Sequence, residues 1–370
     1  TIKVPDGVAH FLEHKLFEYE GGTVTDDFSR LGMSSNAFTN FTNTAYLFSC
    51  TENFAEGLKI LLDFVQDPYF TKESVEKEKG IIEQEIRMYD DNPQWRLFFN
   101  LLNALYKEHP VKTDIAGTVE SIRKIDAEIL HTCYETFYHP SNMAFFAVGD
   151  FAGEEVLDFV EENITKRNYA QLGEIKRFYP KEPADISNKK ITEKLTVSLP
   201  LFYLGFKDNK VGFAGEKLFR KEIVTDLLLD IIFSPSSQLF NDLYEDGLID
   251  EGFSASYVGQ KDYGHVIIGG ETKDPDKLYE KVMAGIEKEK KEGISEESFA
   301  RQKNKLMGEF LKDFNSLEFI ANNYLAYQFK GINLFDYINT LEKVTSKEVE
   351  GRLAELLTDS NHALSIIEPG

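Results

Sequence analysis

The order of apolar and polar positions along the chain predicts a mixture of helices and strands. In residues 53–68 and 71–93 the apolar side chains recur every three or four positions, which predicts two amphipathic helices. Residues 34–51 are rich in Phe, Thr and Tyr with partial alternation, and this pattern predicts a β-hairpin. The apolar run 142–150 predicts a buried strand.

The second half of the chain repeats this order in outline. "TENFAEGLKILLDFV" is followed by "TKESVEKEKGIIEQE", and later "TKDPDKLYEKVMAGI" is followed by "SEESFARQKNKLMGE". Such a repeat predicts two copies of one unit. We therefore expect an α+β fold with two similar α/β domains, each a mostly antiparallel sheet with helices packed on it. The expected boundaries are 1–165 for the first domain, 166–190 for a linker and 191–370 for the second domain.

Composition and charge narrow the functional class. The formal net charge of −22 argues against a nucleic-acid partner, because binding phosphates requires a basic surface. The chain has no run of about 18 apolar residues, so we expect no membrane partner. The two cysteines, Cys50 and Cys133, suit a reducing compartment, and no export signal is visible. These features predict a cytoplasmic protein.

The candidate chemistry lies in residues 7–18, "GVAHFLEHKLFE". On a helix, His10, Glu13 and His14 are neighbours on one side, and the apolar residues of the segment fall on the other. Two imidazoles one turn apart can bind one zinc ion, and a carboxylate between them can lie beside a metal-bound water. The order His-x-x-Glu-His is the inverted form of a known zinc motif. The alternative is a solvated helix face. The expected number of random matches to this pattern in a chain of this composition is, however, only about 0.02.

A catalytic zinc site also needs a third protein ligand and an open position for water. Glu78 and Glu85 lie seven residues apart in the second predicted helix, so they share one face of it. Gly80 between them lowers helix stability, which suggests that another backbone passes close by. Because the whole segment is acidic, a solvated surface position is the alternative for each glutamate.

Together these motifs resemble the pitrilysin/insulinase family of zinc peptidases, and in particular its bacterial subunits of the mitochondrial-processing-peptidase type. The family pattern is His-x-x-Glu-His and, far downstream, Glu-x₆-Glu; here 70 residues lie between His14 and Glu85. "SSNAFTNFTNTAYLF" and "FYHPSNMAFFAVGD" also resemble strands of the family. The resemblance implies that the chain forms one half of a clamshell-shaped metallopeptidase. It also implies that zinc is bound in the first domain and that the second domain is inactive. Opposite the motif, the second copy has "FSPSSQLFNDLY", which contains no histidine.

Carried over position by position, the resemblance implies that Zn²⁺ is bound by His10, His14 and Glu85. It implies two catalytic carboxylates as well: Glu13 as the general base, and Glu78 as the group that holds a ligand histidine. A zinc-dependent metalloendopeptidase that hydrolyses extended peptides is therefore expected.

The resemblance further implies a strand that binds substrate. The family accepts a peptide as an added strand on an exposed edge, and Asn36, Ala37, Phe38 and Thr39 match that strand. The alternative for these four residues is an ordinary hairpin strand.

Two residues expected from the family are missing. Active members carry an Arg and a Tyr in the second domain, which are implied to anchor the substrate and the oxyanion. Here Tyr244 stands at the Arg position, and Asp250 or Glu251 near the Tyr position. We therefore expect a related zinc-less partner subunit in a heterodimer, or else a homodimer. One alternative is a non-catalytic or weakly active scaffold subunit of a two-chain peptidase. Another is a metal-dependent hydrolase that acts on a non-peptide substrate.

Overall fold

A computed structural model describes residues 3–167, 169–171, 173–178 and 180–370. The elements of the first part of the chain are α1 (Val8–Leu16), β1 (Glu18–Tyr19), β2 (Gly22–Thr23), α2 (Val24–Arg30), β3 (Ser34–Thr39), β4 (Thr44–Ser49), α3 (Phe54–Phe64), α4 (Lys72–Asp90), α5 (Pro93–Leu105), α6 (Val119–Ile122), α7 (Ala127–Phe137) and α8 (Gly153–Thr165). Those of the second part are β5 (Lys190–Leu195), β6 (Leu201–Lys207), α9 (Glu216–Phe233), α10 (Gln238–Glu245), β7 (Ser254–Gly259), β8 (Gly264–Glu271), α11 (Pro275–Glu292), α12 (Glu296–Asp313), α13 (Leu317–Phe329), α14 (Tyr337–Glu342), α15 (Ser346–Leu356) and β9 (His362–Pro369).

The elements form two compact units. Unit 1 consists of Thr1–Asp90, Thr113–Phe145 and Gly149–Phe178, and unit 2 consists of Asp91–Lys112, Phe146–Val148 and Tyr179–Gly370. The mixed helix-and-sheet architecture expected from the sequence is confirmed. The domain boundaries at 165 and 191 stay a prediction.

The core of unit 1 forms around α1. Phe11, Leu12 and Leu16 on the apolar side of this helix are almost completely buried. They pack with residues of α2, α4 and α7, including Phe28 and Ile82. Burying a large apolar side chain stabilises the fold by about 1.5–3 kcal/mol, so these three residues fix how α1 is rotated about its axis.

The second predicted helix is α4, and its cap and its buried face follow from the sequence. The Thr71 hydroxyl accepts a hydrogen bond from the Ser74 amide at 3.1 Å, which caps the start of the helix. Val75 and Ile82 are buried on the inner face. The close backbone neighbour expected at Gly80 is absent: apart from its chain neighbours and the nearby backbone of α4, no atom of the described chain lies within 4 Å of where its Cβ would be. That prediction was wrong.

The hairpin predicted in 34–51 is formed by β3 and β4. The strands are antiparallel, with Ser34 opposite Ser49 at one end and Thr39 opposite Thr44 at the other. Among the described residues β3 pairs with no strand except β4. One edge of β3 therefore lacks a strand partner.

Unit 2 contains a five-stranded sheet in the order β5-β9-β6-β8-β7, in which β5 is parallel to β9 and the other pairs are antiparallel. Central strand β6 is almost entirely buried because helices cover both of its faces. Leu204 and Phe206 pack with α9 residues on one side. Gly205 faces α5 on the other, where a Cβ would lie 2.8 Å from the Leu101 side chain. A larger residue here would require the side chains of Leu101 and Leu105 to shift.

The structure also corrects two details of the sequence interpretation. Two helices precede each hairpin, α1 and α2 before β3–β4 and α9 and α10 before β7–β8, so the counterpart of the His10–His14 helix is α9. The segment "FSPSSQLFNDLY" instead runs from the last residue of α9 through most of α10; neither helix contains histidine. The strand predicted in 142–150 was also wrong, because no described strand pairs with it and Phe146 stacks on Tyr324 instead.

Among the described helices, none is by itself long and apolar enough to span a membrane. Only α9 and α10 taken together reach that length and composition, and they are bent by 41° at their junction.

A buried ion cluster supports unit 2. Asp208 accepts hydrogen bonds from Arg352 at 2.5 Å, from Tyr257 at 2.7 Å and from Lys221 at 3.0 Å. Burial alone would raise the pKa of Asp208, but Arg352 and Lys221 beside it lower the pKa to about 2. Asp208 and Arg352 are both buried, and Asp208 is the buried counter-charge of Arg352, which also pairs with the more exposed Glu355 at 2.9 Å.

We predict that Asp208→Asn lowers the free energy of unfolding by about 3 kcal/mol, since it leaves the buried Arg352 with only the partly exposed Glu355 as a counter-charge. Urea unfolding near pH 7 measures this. In the wild-type protein, the contribution of Asp208 to the free energy of unfolding should decline as the pH falls. The decline should begin near pH 4, the ordinary aspartate pKa, and continue through the folded pKa of about 2. The control is Glu292→Gln, which removes the exposed pair with Lys288 and should change stability by less than about 0.5 kcal/mol. Equal effects of the two substitutions would contradict the prediction.

Candidate metal centre

Helix α1 presents His10, Glu13 and His14 on the side opposite its buried apolar residues. Its start is fixed by Gly7, which has φ 88°. A Cβ at Gly7 would lie 2.5 Å from the carbonyl oxygen of Ala116, so a larger residue would push the start of the helix away from that segment. Packing and this close approach together hold the three polar side chains in place.

Helix α4 supplies the carboxylates that face α1. Glu78 is 8% exposed and lies on the same inner face as Val75 and Ile82. Glu85, two turns further on, lies between the imidazoles of His10 and His14. Both glutamates singled out in the sequence thus reach the histidines.

His10, His14 and Glu85 form a group that could hold a metal ion. One ligand atom from each lies within 4.8 Å of the other two. Glu85 Oε1 is 3.7 Å from His10 Nε2, and Glu85 Oε2 is 3.5 Å from His14 Nε2. These separations are too long for good hydrogen bonds. They are close to the roughly 3.4 Å between ligand atoms around a tetrahedral zinc ion with bonds of about 2.1 Å. The donor set of two imidazoles and one carboxylate also fits zinc.

The tautomer of His14 is fixed by Glu78. Its Nδ1 donates to Glu78 Oε1 at 2.9 Å, so in the neutral ring the lone pair of Nε2 faces Glu85 and is available to a metal. Burial would lower the pKa of His14, but the bond to Glu78 and the charge of Glu85 raise it. Burial and the nearby His14 ring lower the pKa of His10, which favours the neutral form that binds metal. The Nδ1 atom of His10 is buried, and no described residue forms a hydrogen bond with it.

Glu13 lies outside this group of three, although it belongs to the same helical turn. It is 8% exposed, and its Oε2 accepts a hydrogen bond of 2.5 Å from the Thr39 hydroxyl. Burial raises the pKa of Glu13, and the bond from Thr39 opposes that rise. A carboxylate with a raised pKa beside a metal site can take up a proton and release it again.

Two contacts of the site were not predicted from the sequence. The Tyr89 hydroxyl donates to Glu85 Oε1 at 2.6 Å, which fixes the orientation of that carboxylate. Tyr89 lies four residues after Glu85, and this spacing on one helix could have indicated the contact. The bond between Thr39 and Glu13 joins residues 26 apart, and no local spacing indicates it.

The four residues of the expected substrate strand form most of β3. Asn36, Ala37, Phe38 and Thr39 pair with β4 on one edge, and no described strand covers the other edge. The Asn36 side chain accepts a hydrogen bond from the Ala37 amide. Their role in binding substrate stays a prediction.

The residues at the positions of the expected Arg and Tyr lie in unit 2. Tyr244 is 48% exposed and stacks on Phe240 in α10. Asp250 accepts a hydrogen bond from the Gly252 amide, and Glu251 lies in the same turn. Neither acidic residue can donate a hydrogen bond to an oxyanion in its ionised form.

Two known protein families match most of the chain. Residues 3–119 match the insulinase family, peptidase family M16. Residues 124–306 match the domain described as the peptidase M16 inactive domain. The first match contains all of the His, Glu and strand residues described above.

Similar proteins agree with these matches. A Bacillus subtilis protein named uncharacterized zinc protease YmfH is 47% identical over 96% of this chain and 82% of its own length. A second B. subtilis protein, uncharacterized zinc protease YmxG, is 25% identical over 98% of this chain and 88% of its own. The solved structure of an M16-like protein from Alicyclobacillus acidocaldarius superposes with a TM-score of 0.97 at 39% identity, covering 100% of this chain and 88% of that one. The chain belongs to the pitrilysin/insulinase family, peptidase family M16.

Proposed function

We propose that this chain is a zinc-dependent metalloendopeptidase that hydrolyses extended peptides. The observation that carries the proposal is the arrangement of His10, His14 and Glu85, whose ligand atoms lie within 4.8 Å of one another. The carboxylate of Glu13 on the same helical turn is left over as a base. A purely structural zinc site would use four protein ligands and would have no need of a spare buried carboxylate. Relatives named zinc proteases support the same metal.

The residues of the site have separate tasks in this proposal. His10, His14 and Glu85 would hold zinc, which when bound supplies a Lewis acid that activates water near neutral pH. Glu13 takes the proton of the attacking water and delivers it to the nitrogen of the leaving amine. Glu78 keeps the Nδ1 proton on His14 and so keeps Nε2 directed at the metal position.

The open edge of β3 suits an extended peptide. We infer that the backbone of Asn36, Ala37, Phe38 and Thr39 pairs with the substrate as an added strand. Main-chain hydrogen bonds carry little information about side chains, so this mode of binding gives weak sequence specificity.

A second subunit is part of the proposal. Hydrolysis needs hydrogen-bond donors directed at the developing oxyanion, and the Arg and Tyr that the family resemblance implies are replaced by Tyr244 and by acidic residues. We infer that a related chain without the zinc motif supplies both donors in a heterodimer. The competing proposal is that the chain is a weakly active scaffold subunit. The replacement of the expected Arg and Tyr also favours this proposal.

We predict that the purified chain binds about one zinc ion, and that His14→Ala and Glu85→Ala each remove most of it, because two ligands hold zinc poorly. Elemental analysis after dialysis measures the zinc content. The control is Glu83→Ala on the same helix, whose carboxylate binds Arg87 and Arg123 instead and whose loss should leave the zinc content unchanged. Full zinc occupancy in the His14 or Glu85 variant would overturn the ligand assignment.

Glu13→Gln tests chemistry apart from binding. The substitution keeps size and polarity but removes the base, so the zinc content should stay while peptide hydrolysis falls by roughly 10²–10⁴-fold. Mass spectrometry of digested unstructured peptides gives the rate, with Glu83→Gln as the control that keeps it. If the Glu13→Gln protein loses zinc, Glu13 is a ligand. If that protein cleaves peptides at the wild-type rate, Glu13 is not the base.

The chain alone should bind zinc yet cleave peptides slowly. Adding a related zinc-less subunit that carries the Arg and Tyr should raise turnover by about 10²–10³-fold, the typical effect of one oxyanion donor. The measurement is turnover of one peptide panel by the chain alone and by the pair. Rapid turnover by a monomer or homodimer, or a bound partner that leaves the rate unchanged, would contradict this.

A further inference from the structure

Thr39 connects the end of the hairpin to the buried carboxylate of α1. Its hydroxyl lies 2.5 Å from Glu13 Oε2 and 3.2 Å from the hydroxyl of Thr44, its cross-strand neighbour. An ionised carboxylate only accepts hydrogen bonds, and the Thr39 hydroxyl has one proton to give. That proton goes to Glu13, so the Thr44 hydroxyl must be the donor to Thr39. The result is a directed chain from Thr44 through Thr39 to Glu13.

The turn that follows Thr39 is fixed by its own hydrogen bonds. The Asn40 side chain accepts from the amides of Thr42 and Asn43 at 2.8 and 2.9 Å. The Asn40 amide in turn donates to the carbonyl oxygen of Asn43 at 2.9 Å. Such a turn limits movement of the last strand pair, and with it the position of the Thr39 hydroxyl.

Glu13 has few other groups to orient it. Within the described chain, Thr39 is the one residue that donates a hydrogen bond to its carboxylate. A buried carboxylate is held by such bonds, which are stronger when the acceptor is charged. Because the bond engages Oε2, the other oxygen is left to meet the attacking water.

We propose that Thr39 is a positioning residue: its hydroxyl holds the Glu13 carboxylate in the orientation that proton transfer requires. This rests on the proposed function, in which Glu13 is the base. It gives the side chain of Thr39 a task separate from the backbone of β3. A misplacement of about 1 Å at a catalytic group can cost about 10²-fold in rate, so loss of this one hydroxyl should be measurable.

The test compares variants of Thr39 with the loss of a threonine hydroxyl elsewhere in unit 1. Thr39→Val keeps the shape and removes the hydroxyl, Thr39→Ser restores a hydroxyl, and Thr39→Ala is a second deletion should valine disturb the fold. The matched control is Thr132→Val on α7, which removes an exposed hydroxyl that donates to the carbonyl oxygen of Glu128 in its own helix. Each protein is measured for kcat, KM and zinc content, together with the partner subunit if the chain alone is slow.

The expected result is specific to positioning. Thr39→Val and Thr39→Ala should lower kcat by about 10–100-fold while KM changes less than about twofold and zinc stays bound. Thr39→Ser and Thr132→Val should keep kcat within about threefold of wild type. In a Glu13→Gln background, Thr39→Val should have no further effect, because it acts through the carboxylate.

A second readout uses metal-free protein and needs no activity. The melting temperatures of wild type, Thr39→Val, Glu13→Ala, which removes the acceptor, and the double variant form a cycle, which should show coupling between the two sites. Additive shifts would mean that the bond is not formed, and would overturn the inference. So would a Thr39→Val protein with wild-type kcat, or one in which KM alone changes. If wild-type protein with its partner cleaves no peptide, the proposed function fails, and the positioning role fails with it; the melting cycle would still report the bond.

Discussion

The site depends on how α1 is held in the core of unit 1. The helix has one apolar side, and Phe11, Leu12 and Leu16 on that side are almost fully buried. A rotation of the helix by one residue, about 100°, would expose them and would also carry His10 and His14 away from α4. The free energy of burial therefore sets which side of α1 carries the imidazoles, and the bond to Glu78 then orients the ring of His14.

Helix α4 transmits the same constraint to the carboxylates. Its buried apolar residues, among them Val75 and Ile82, place Glu78 and Glu85 on the face towards α1. Burying a carboxylate is unfavourable unless it has partners, and here the partners are His14, Tyr89 and the position that zinc would take. In the proposed function this costly arrangement serves metal binding.

The sequence predicts the local parts of this arrangement well and the non-local parts poorly. The periodicity of α1 and α4 and the alternation of the hairpin are local patterns, and the structure confirms these elements. The spacing of His10 and His14 predicts that they are neighbours. That Glu85 lies between them could be inferred only from the family resemblance, because 70 residues separate it from His14 and periodicity carries no information on tertiary contacts.

The failures have the same cause. The run 142–150 is apolar enough for a strand, but a strand requires a neighbour, and no described strand pairs with it. Gly80 suggested a close backbone contact that is absent. Thr39 matched a family strand, which concealed the contact of its hydroxyl with Glu13. In each case a local sequence pattern serves as evidence for a tertiary contact, which the pattern does not determine.

X-ray absorption at the zinc edge of the purified wild-type protein tests the central claim most directly. The claim is that two imidazoles and one carboxylate hold zinc while Glu13 stays outside the ligand set. The predicted spectrum contains two imidazole nitrogens and oxygen ligands at about 2.0–2.2 Å, and it keeps this coordination in Glu13→Gln. Zinc that lacks imidazole ligands, or a ligand set that changes in Glu13→Gln, would contradict the account.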